Sequence, residues 1–279
     1  MQIKTPIRMR LFLLLVTLFS VTKADSPERA VIPGIIGHDD RIIRDSEDYP
    51  WSAIGRLSIT TGGFCTATVI APRRIITAAH CLWNRRTGRW YPPCALHFLA
   101  AYRRSSFKVH ALVSQIQIAP GYRGDDPRPE LDWAVLTLDQ DIAASTGVIP
   151  LADRIPARDA RLLQAGYSRD RRHLLTIDQS CRVTRAANSK GLLTHDCDAT
   201  FGDSGSPLLV RGQAGEYRVV AVHTAFGRSK GRTTGIGVSV EGARNWVGKH
   251  PVRQPPGKMK ACGLPTDLLP EQVAMNEIE

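Results

Sequence analysis

The chain of 279 residues is 43% hydrophobic, carries 37 Lys and Arg against 26 Asp and Glu, and has a formal net charge of +11. That length and apolar content exclude an intrinsically disordered chain and allow either one large all-β unit or two modest domains. The basic excess is scattered, and its denser spots, Arg85, Arg86 and Arg89 and then Arg169, Arg171 and Arg172, lack the interleaved aromatic residues of a nucleic-acid platform, so they read as solvated surface.

At the start of the chain, Lys4, Arg8 and Arg10 flank the apolar run LFLLLVTLFSV (residues 11–21), and the small residues Thr22 and Ala24 follow. This is the pattern of a secretory signal peptide over residues 1–24. The run is well short of the ~20 residues that span a bilayer, so no membrane association is expected once the leader is removed. Removal takes Lys4, Arg8, Arg10 and Lys23 with it and leaves +7. Export to the periplasm or beyond puts the even set Cys65, Cys81, Cys94, Cys181, Cys197 and Cys262 under oxidising conditions, which favours disulfides. No metal or cofactor is expected: there is no CxxC, no HExxH and no His/Cys pair at finger spacing. Six cysteines allow 15 pairings, among which the residues alone do not choose.

Residues 25–49 form an N-terminal segment that includes a possible propeptide to residue 34. From Pro50 onward, short apolar segments such as SAIGRLSIT, CTATVIA, RIITAAHC, WAVLTLD, GSPLLV, RVVAVHTAF and TGIGVSV are cut by turn residues. Their length and β-branched content predict strands at sandwich or barrel spacing. Helical periodicity is scarce. VEGARNWVGKHP (residues 240–251) predicts one short helix ended by its proline, followed by a Pro-rich, then acidic tail over 251–279.

Three of these stretches carry chemistry. ITAAHC places His80 at the end of a strand-like run. ELDWAVLTLD puts Asp132 just before a buried run, where a carboxylate stays ionised only if hydrogen bonds are donated to it. GDSGSP flanks Ser204 with Gly202 and Gly205, which lets backbone approach a reacting carbonyl. A serine hydroxyl is a weak nucleophile at neutral pH. It needs an imidazole to take its proton and a carboxylate to orient that imidazole. The N–H groups of Gly202 and Ser204 are then the candidate oxyanion hole.

In this order, TAAHC, DWAVL and GDSGSP resemble the catalytic blocks of the trypsin and chymotrypsin-like serine peptidases, with details closer to the bacterial secreted branch that includes the glutamyl endopeptidases. The likeness runs from PWSAIGRL at Pro50 to NWVGKHP at Pro251. It implies an all-β fold of two six-stranded antiparallel barrels, over 50–150 and 151–250, with the active site between them. It also implies disulfides joining Cys65 to Cys81 and Cys181 to Cys197, which leaves Cys94 for Cys262. An isolated Ser, His or Asp is most often a structural polar residue. Three such motifs in family order, separated by 52 and 72 residues, point instead to a His80, Asp132 and Ser204 triad. His38, His97, His110, His173, His195 and His250 lack that context and read as structural or surface residues. An α/β-hydrolase is disfavoured, since its elbow reads GxSxG and its triad runs in the opposite order.

Two further features of the resemblance concern specificity and activation. The residue six before the nucleophile, Asp198, would favour Arg or Lys substrates. His223 stands where glutamyl-type enzymes contact an acidic side chain, and Thr224 where the family has a serine beside the catalytic aspartate. If Asp198 and His223 paired with each other they would leave a polar pocket of undefined preference; otherwise Asp198 tips the balance toward basic substrates. Asp203 would pair with a newly cut ammonium, for which GIIGHDD offers Ile35. Gly34 precedes it, however, where a tryptic site would carry Arg or Lys. Either another protease trims before Ile35, or Asp203 is satisfied internally. The expected protein is a secreted or periplasmic serine endopeptidase, monomeric, with peptide or protein substrates and no nucleic-acid partner. The rival classes are a silent protease-fold binding protein and a basic polyanion-binding module.

Overall fold

The segments cut by turn residues fold as antiparallel strands because each carries β-branched or apolar side chains on at least one face that must leave water. The computed structural model describes Gln2 and residues 32–229 and 231–251, all but Gln2 lying in one compact unit. The predicted signal peptide and nearly all of the tail, with Cys262, lie outside the described residues. In chain order the first strands are β1 (Ile42–Ile43), β2 (Ile54–Ile59), β3 (Phe64–Ala71), β4 (Arg74–Thr77), β5 (Trp83–Asn84), β6 (Arg89–Trp90), β7 (Leu96–Ala100), β8 (Val109–Ile118) and β9 (Ala134–Leu138). Six of them close a barrel in the order β2, β3, β4, β9, β8, β7. Leu57 pairs across with Phe98 in register, and both are buried with Ile76 and Leu136 at its centre. The pair β5 and β6 forms a hairpin outside the barrel, directly after His80.

The second half contributes β10 (Leu163–Gly166), β11 (Thr176–Asp178), β12 (Val183–Arg185), β13 (Leu192–His195), β14 (Pro207–Arg211), β15 (Tyr217–Ser229) and β16 (Arg232–Ser239). With β1 these make an eight-stranded sheet in the order β1, β11, β10, β14, β15, β16, β13, β12. The expected six-stranded count is recovered once its bend is recognised. An Arg161 to Arg182 bridge, flanked by Leu162 N to Cys181 O (2.8 Å) and Val183 N to Ala160 O (3.0 Å), carries the β10 to β11 ladder on into β12. Strands β11 and β12 are therefore two halves of one bent strand that closes the ring, and β1 is an added edge. The helix expected after the last strand is α2 (Glu241–Lys249), which follows a single turn, α1 (Ala143–Thr146), between the two halves. It packs back on the first barrel. The Arg74 guanidinium donates to the carbonyls of Val247 and His250 and lies 5.2 Å from the Trp246 ring centre.

Two disulfides are formed within the described residues, Cys65 to Cys81 and Cys181 to Cys197. Cys94 is also disulfide-bonded, and the partner expected for it, Cys262, lies outside the described residues. The Cys65–Cys81 bridge spans 16 residues and ties β3 to the turn that carries His80. Replacing both cysteines by serine is expected to cost about 3 kcal/mol, a fall in Tm of roughly 6–12 °C, measurable by calorimetry.

Candidate active site

His80 sits in a short 3-10 turn, Ala79–Leu82, that follows β4. Asp132 ends another such turn, Pro129–Leu131, just before β9. Because β4 and β9 are neighbours in the barrel, Thr77 pairing with Ala134, the two turns meet at one rim. His80 Nδ1 lies 2.7 Å from Asp132 Oδ2, and the His80 backbone N–H donates to Asp132 Oδ1 at 2.8 Å. Both carboxylate oxygens are thereby used by one residue. Asp132 is 7% exposed, so these bonds stand in for the water that burial removes. The Nδ1 contact fixes the tautomer: Nδ1 carries the proton and Nε2 is left as the acceptor. The phenol of buried Tyr122 is pushed up by burial and by the Asp132 carboxylate beside it.

Ser204 comes from the second barrel. Its carbonyl accepts the N–H of Thr66 on β3 at 2.9 Å, and Thr66 Oγ1 donates to Gly202 O at 3.1 Å while accepting Tyr167 N at 2.9 Å. One threonine of the first barrel thus pins the Ser204 turn of the second. Gly205 has φ +85°, and a Cβ there would lie 2.2 Å from both Thr66 O and Thr77 Oγ1, so only glycine lets the turn approach so closely. The Cys81 sulfur spans the remaining gap, 3.9 Å from His80 Nε2 and 3.8 Å from Ser204 O. Among the described residues Ser204 Oγ makes no hydrogen bond to His80, a bond that often tightens only when substrate is present. The N–H groups of Gly202 and Ser204 donate to no acceptor among the described residues. Among the described residues, the cluster of Cys65, His80 and Cys81 offers no metal site, because its sulfurs are joined in the disulfide and no thiolate is present.

The expected pocket residues are placed differently. Asp198 is buried, and both of its oxygens are occupied, Oδ1 by Ile36 N at 2.7 Å and Oδ2 by Asp40 N at 2.8 Å. It therefore faces the N-terminal segment and presents no free carboxylate to a substrate, contrary to the expected role in reading Arg or Lys. Burial pushes its carboxyl above the ordinary range. His223 does not pair with Asp198; its Nδ1 lies 3.1 Å from Nε2 of His195. His195 Nδ1 accepts the N–H of Cys197 at 3.1 Å, so the proton of His195 is on Nε2, where it donates to His223. By the same logic the proton of neutral His223 is on Nε2. His195, taken from sequence as structural, is thus the residue that sets the His223 tautomer. Its position in a strand two residues before Cys197 was the available signal. Thr224 Oγ1 donates to Ile236 O at 3.3 Å and not to Asp132. Ile35 N donates to Ile32 O at 3.2 Å, whereas the partners of Asp203 are Ser168 and Thr200. The two clefts beside α2, about 260 and 450 Å³, include none of His80, Ser204 and His223.

Burial governs the titration of the other imidazoles. His97 and His110 stack on the first barrel, Nδ1 to Nε2 2.9 Å, and burial lowers both, His97 to about 4 with a further push from His110. Burial also lowers His195, and His223 to about 3, the latter pushed further by His80. All four are neutral when folded, whereas the unfolded chain protonates them below about pH 6.5. Stability is therefore lost as pH falls from 6.5 toward 4. Asp203 has the opposite sign: burial raises it from 3.8 to about 6, so its contribution falls as pH rises through that window. Asp198, raised by burial as well, acts in the same sense as Asp203. Four imidazoles outweigh these two carboxyls, and the urea midpoint is expected to drop clearly between pH 7 and pH 5; a flat profile would contradict this.

Residues 42–247 match the Trypsin family model. Ovochymase of Halocynthia roretzi is 24% identical over 229 residues, which is 71% of this chain and 14% of that protein. Serine protease 23 of Homo sapiens is 28% identical over 206 residues, 63% of this chain and 51% of that protein. The chain thus spans about half or less of the length of these curated relatives. A stretch of 66 residues, 23% of this chain and 21% of that protein, is 36% identical to the glutamyl endopeptidase of Bacillus licheniformis. Among solved structures, a Glu endopeptidase superposes with a TM-score of 0.65 at 23% identity, over 77% of this chain and 98% of that one. The protease Anisep of Arthrobacter nicotinovorans gives 0.57 at 17%, over 71% and 93%.

Proposed function

Since the chain belongs to the trypsin family, we propose that it is a secreted or periplasmic serine endopeptidase in which Ser204 is the nucleophile, His80 the general base and then acid, and Asp132 the orienting carboxylate. The observation that carries this reading is the double hydrogen bond from His80 to Asp132, through the ring at 2.7 Å and the backbone at 2.8 Å. It leaves His80 Nε2 free to take the Ser204 proton as Oγ attacks a substrate carbonyl carbon. The oxyanion that forms would be received by the N–H groups of Gly202 and Ser204. On collapse, His80 returns the proton to the leaving amine, and water then hydrolyses the acyl-enzyme by the same route in reverse.

The pocket reading moves away from Asp198. With that carboxylate saturated, the polar group left to face a substrate side chain is His223, whose Nε2–H is a donor held by His195. This favours substrate residues that accept a hydrogen bond at the position before the cut, and the name glutamyl endopeptidase on one relative agrees with that preference. The proposal is tested by fluorophosphonate labelling of the secreted protein with peptide mapping of the adduct to Ser204, followed by a peptide library scanned at the residue before the cut on wild type, Asp198→Asn and His223→Ala. No adduct would reject the enzyme in favour of a silent binding protein. A preference for Arg or Lys that Asp198→Asn abolishes would reject the pocket reading.

A further inference from the structure

Between Gly34 and Arg41 the chain lies along the loop that leads to the nucleophile, bonded to that loop at Asp198 and Ala199 and, through Arg41, to the turn at 168–171. At the near end, Ile36 N and Asp40 N donate to the two oxygens of Asp198, and Ala199 N donates to Gly34 O at 3.3 Å. A Cβ on Gly34 would lie 1.9 Å from Ala199 O, so the two backbones are in direct contact. At the far end the attachment passes through Arg41, whose side chain is fully buried. Its guanidinium forms two forked pairs. One goes to Asp39, with Nε to Oδ1 at 2.9 Å and Nη2 to Oδ2 at 3.0 Å; the other goes to Asp170, with Nη1 to Oδ1 at 3.1 Å and Nη2 to Oδ2 at 2.8 Å. Arg171 closes the cluster by donating to Arg41 O at 3.0 Å and to Asp39 Oδ2 at 2.7 Å. Two arginines thus neutralise two aspartates, which makes the buried charge tolerable.

The turn held by Arg41 is also the one that grips the catalytic loop. Ser168 Oγ donates to Asp203 Oδ2 at 2.7 Å, Arg169 N donates to Phe201 O at 2.6 Å, and Thr200 N adds a second bond to Asp203 Oδ2 at 2.8 Å. Asp203 is fully buried beside Ser204, and its other oxygen has no hydrogen-bond partner among the described residues. That oxygen faces Gly166, where a Cβ would lie 2.5 Å away. A buried carboxylate so placed needs positive potential from nearby, and Arg41 is the cation whose field acts on it.

We propose that Arg41 is a positioning residue: through Asp170 and the turn at 168–171 it holds the loop carrying Asp203, Ser204 and the oxyanion N–H groups in its working form, so the chain needs no newly cut amino terminus at Ile35. This rests on the peptidase reading above. The cut before Ile35 that would end a propeptide at residue 34 is then not needed for activity.

The test compares wild type with Arg41→Gln, Arg41→Lys and Asp170→Asn, each purified as the full secreted chain, using a peptide substrate drawn from the library. In Arg41→Gln and Asp170→Asn kcat is expected to fall about 10- to 100-fold, as for loss of an oxyanion donor, while KM changes less than about twofold because the pocket walls stay in place. Arg41→Lys keeps the charge without the fork and is expected to fall between. If Arg41→Gln does not fold, Asp170→Asn decides alone, since its side chain is partly exposed and its loss leaves the other bonds of the strap intact. N-terminal sequencing of the active protein is expected to find residues upstream of Ile35 still attached. Unchanged kcat in the folded variants, a protein active only once it begins at Ile35, or a fully active protein beginning at Ile42 or later, would overturn the proposal. A wild type that neither labels nor cleaves sinks the peptidase reading and this one together, whereas an active wild type with indifferent variants sinks only this one.

Discussion

Replacing Ser204 by alanine is expected to lower peptide hydrolysis about 10⁶-fold, the scale on which triads lose their nucleophile. The change is clean in this structure. The contacts that hold residue 204 are its carbonyl, which accepts Thr66 N, and the sulfur of Cys81 beside that same oxygen; the hydroxyl bonds no protein group among the described residues. Removing Oγ therefore leaves the turn, the N–H groups of Gly202 and residue 204 and the Gly205 approach as they were, and stability should stay within about 0.5 kcal/mol of wild type. Loss of turnover at unchanged Tm identifies Oγ as the reacting atom. Cleavage persisting in highly purified Ser204→Ala would mean that another group, or another protein, does the chemistry.

Asp132→Asn is expected to cost about 10⁴-fold in kcat with little change in fold. An asparagine side chain can keep accepting the His80 N–H through its oxygen, but it then presents an NH₂ group to Nδ1. A donor at that point turns the imidazole to the tautomer with its proton on Nε2, which can no longer accept the Ser204 proton. The measurement is kcat alongside fluorophosphonate labelling. Both should fall together, since attack by Oγ is the step impaired in each. An Asp132→Asn protein labelled at the wild-type rate would show that the tautomer is set by something other than Asp132.

What could be read before the structure was known depended on how local the determinant was. His80 with Cys81 and Ser204 between Gly202 and Gly205 announce themselves within six residues, because a tight Gly-flanked serine turn and a disulfide-pinned histidine need those neighbours. The partners of Asp198 are 162 and 158 residues away in sequence. No period or spacing in the chain hints that its oxygens are filled by backbone N–H groups of the N-terminal segment. Arg41 was hidden for the same reason, being one arginine among many until burial singles it out. The His195 and His223 pair was half visible: His223 lay in a recognisable strand, while the residue that sets its proton lies on β13, reached only by laying β16 between them. The bend that joins β11 to β12 was also illegible, since Asp178 and Ser180 look like an ordinary end of strand.

The two ends of the described chain have exchanged allegiance. Strand β1, from the N-terminal side, pairs with β11 of the second barrel, and α2, from the C-terminal side, is bolted to Arg74 of the first. A scission near residue 150 would therefore not release two self-sufficient halves. Each fragment would carry away the other's fastening, so a nicked protein should stay associated and the intact one should melt as a single cooperative block.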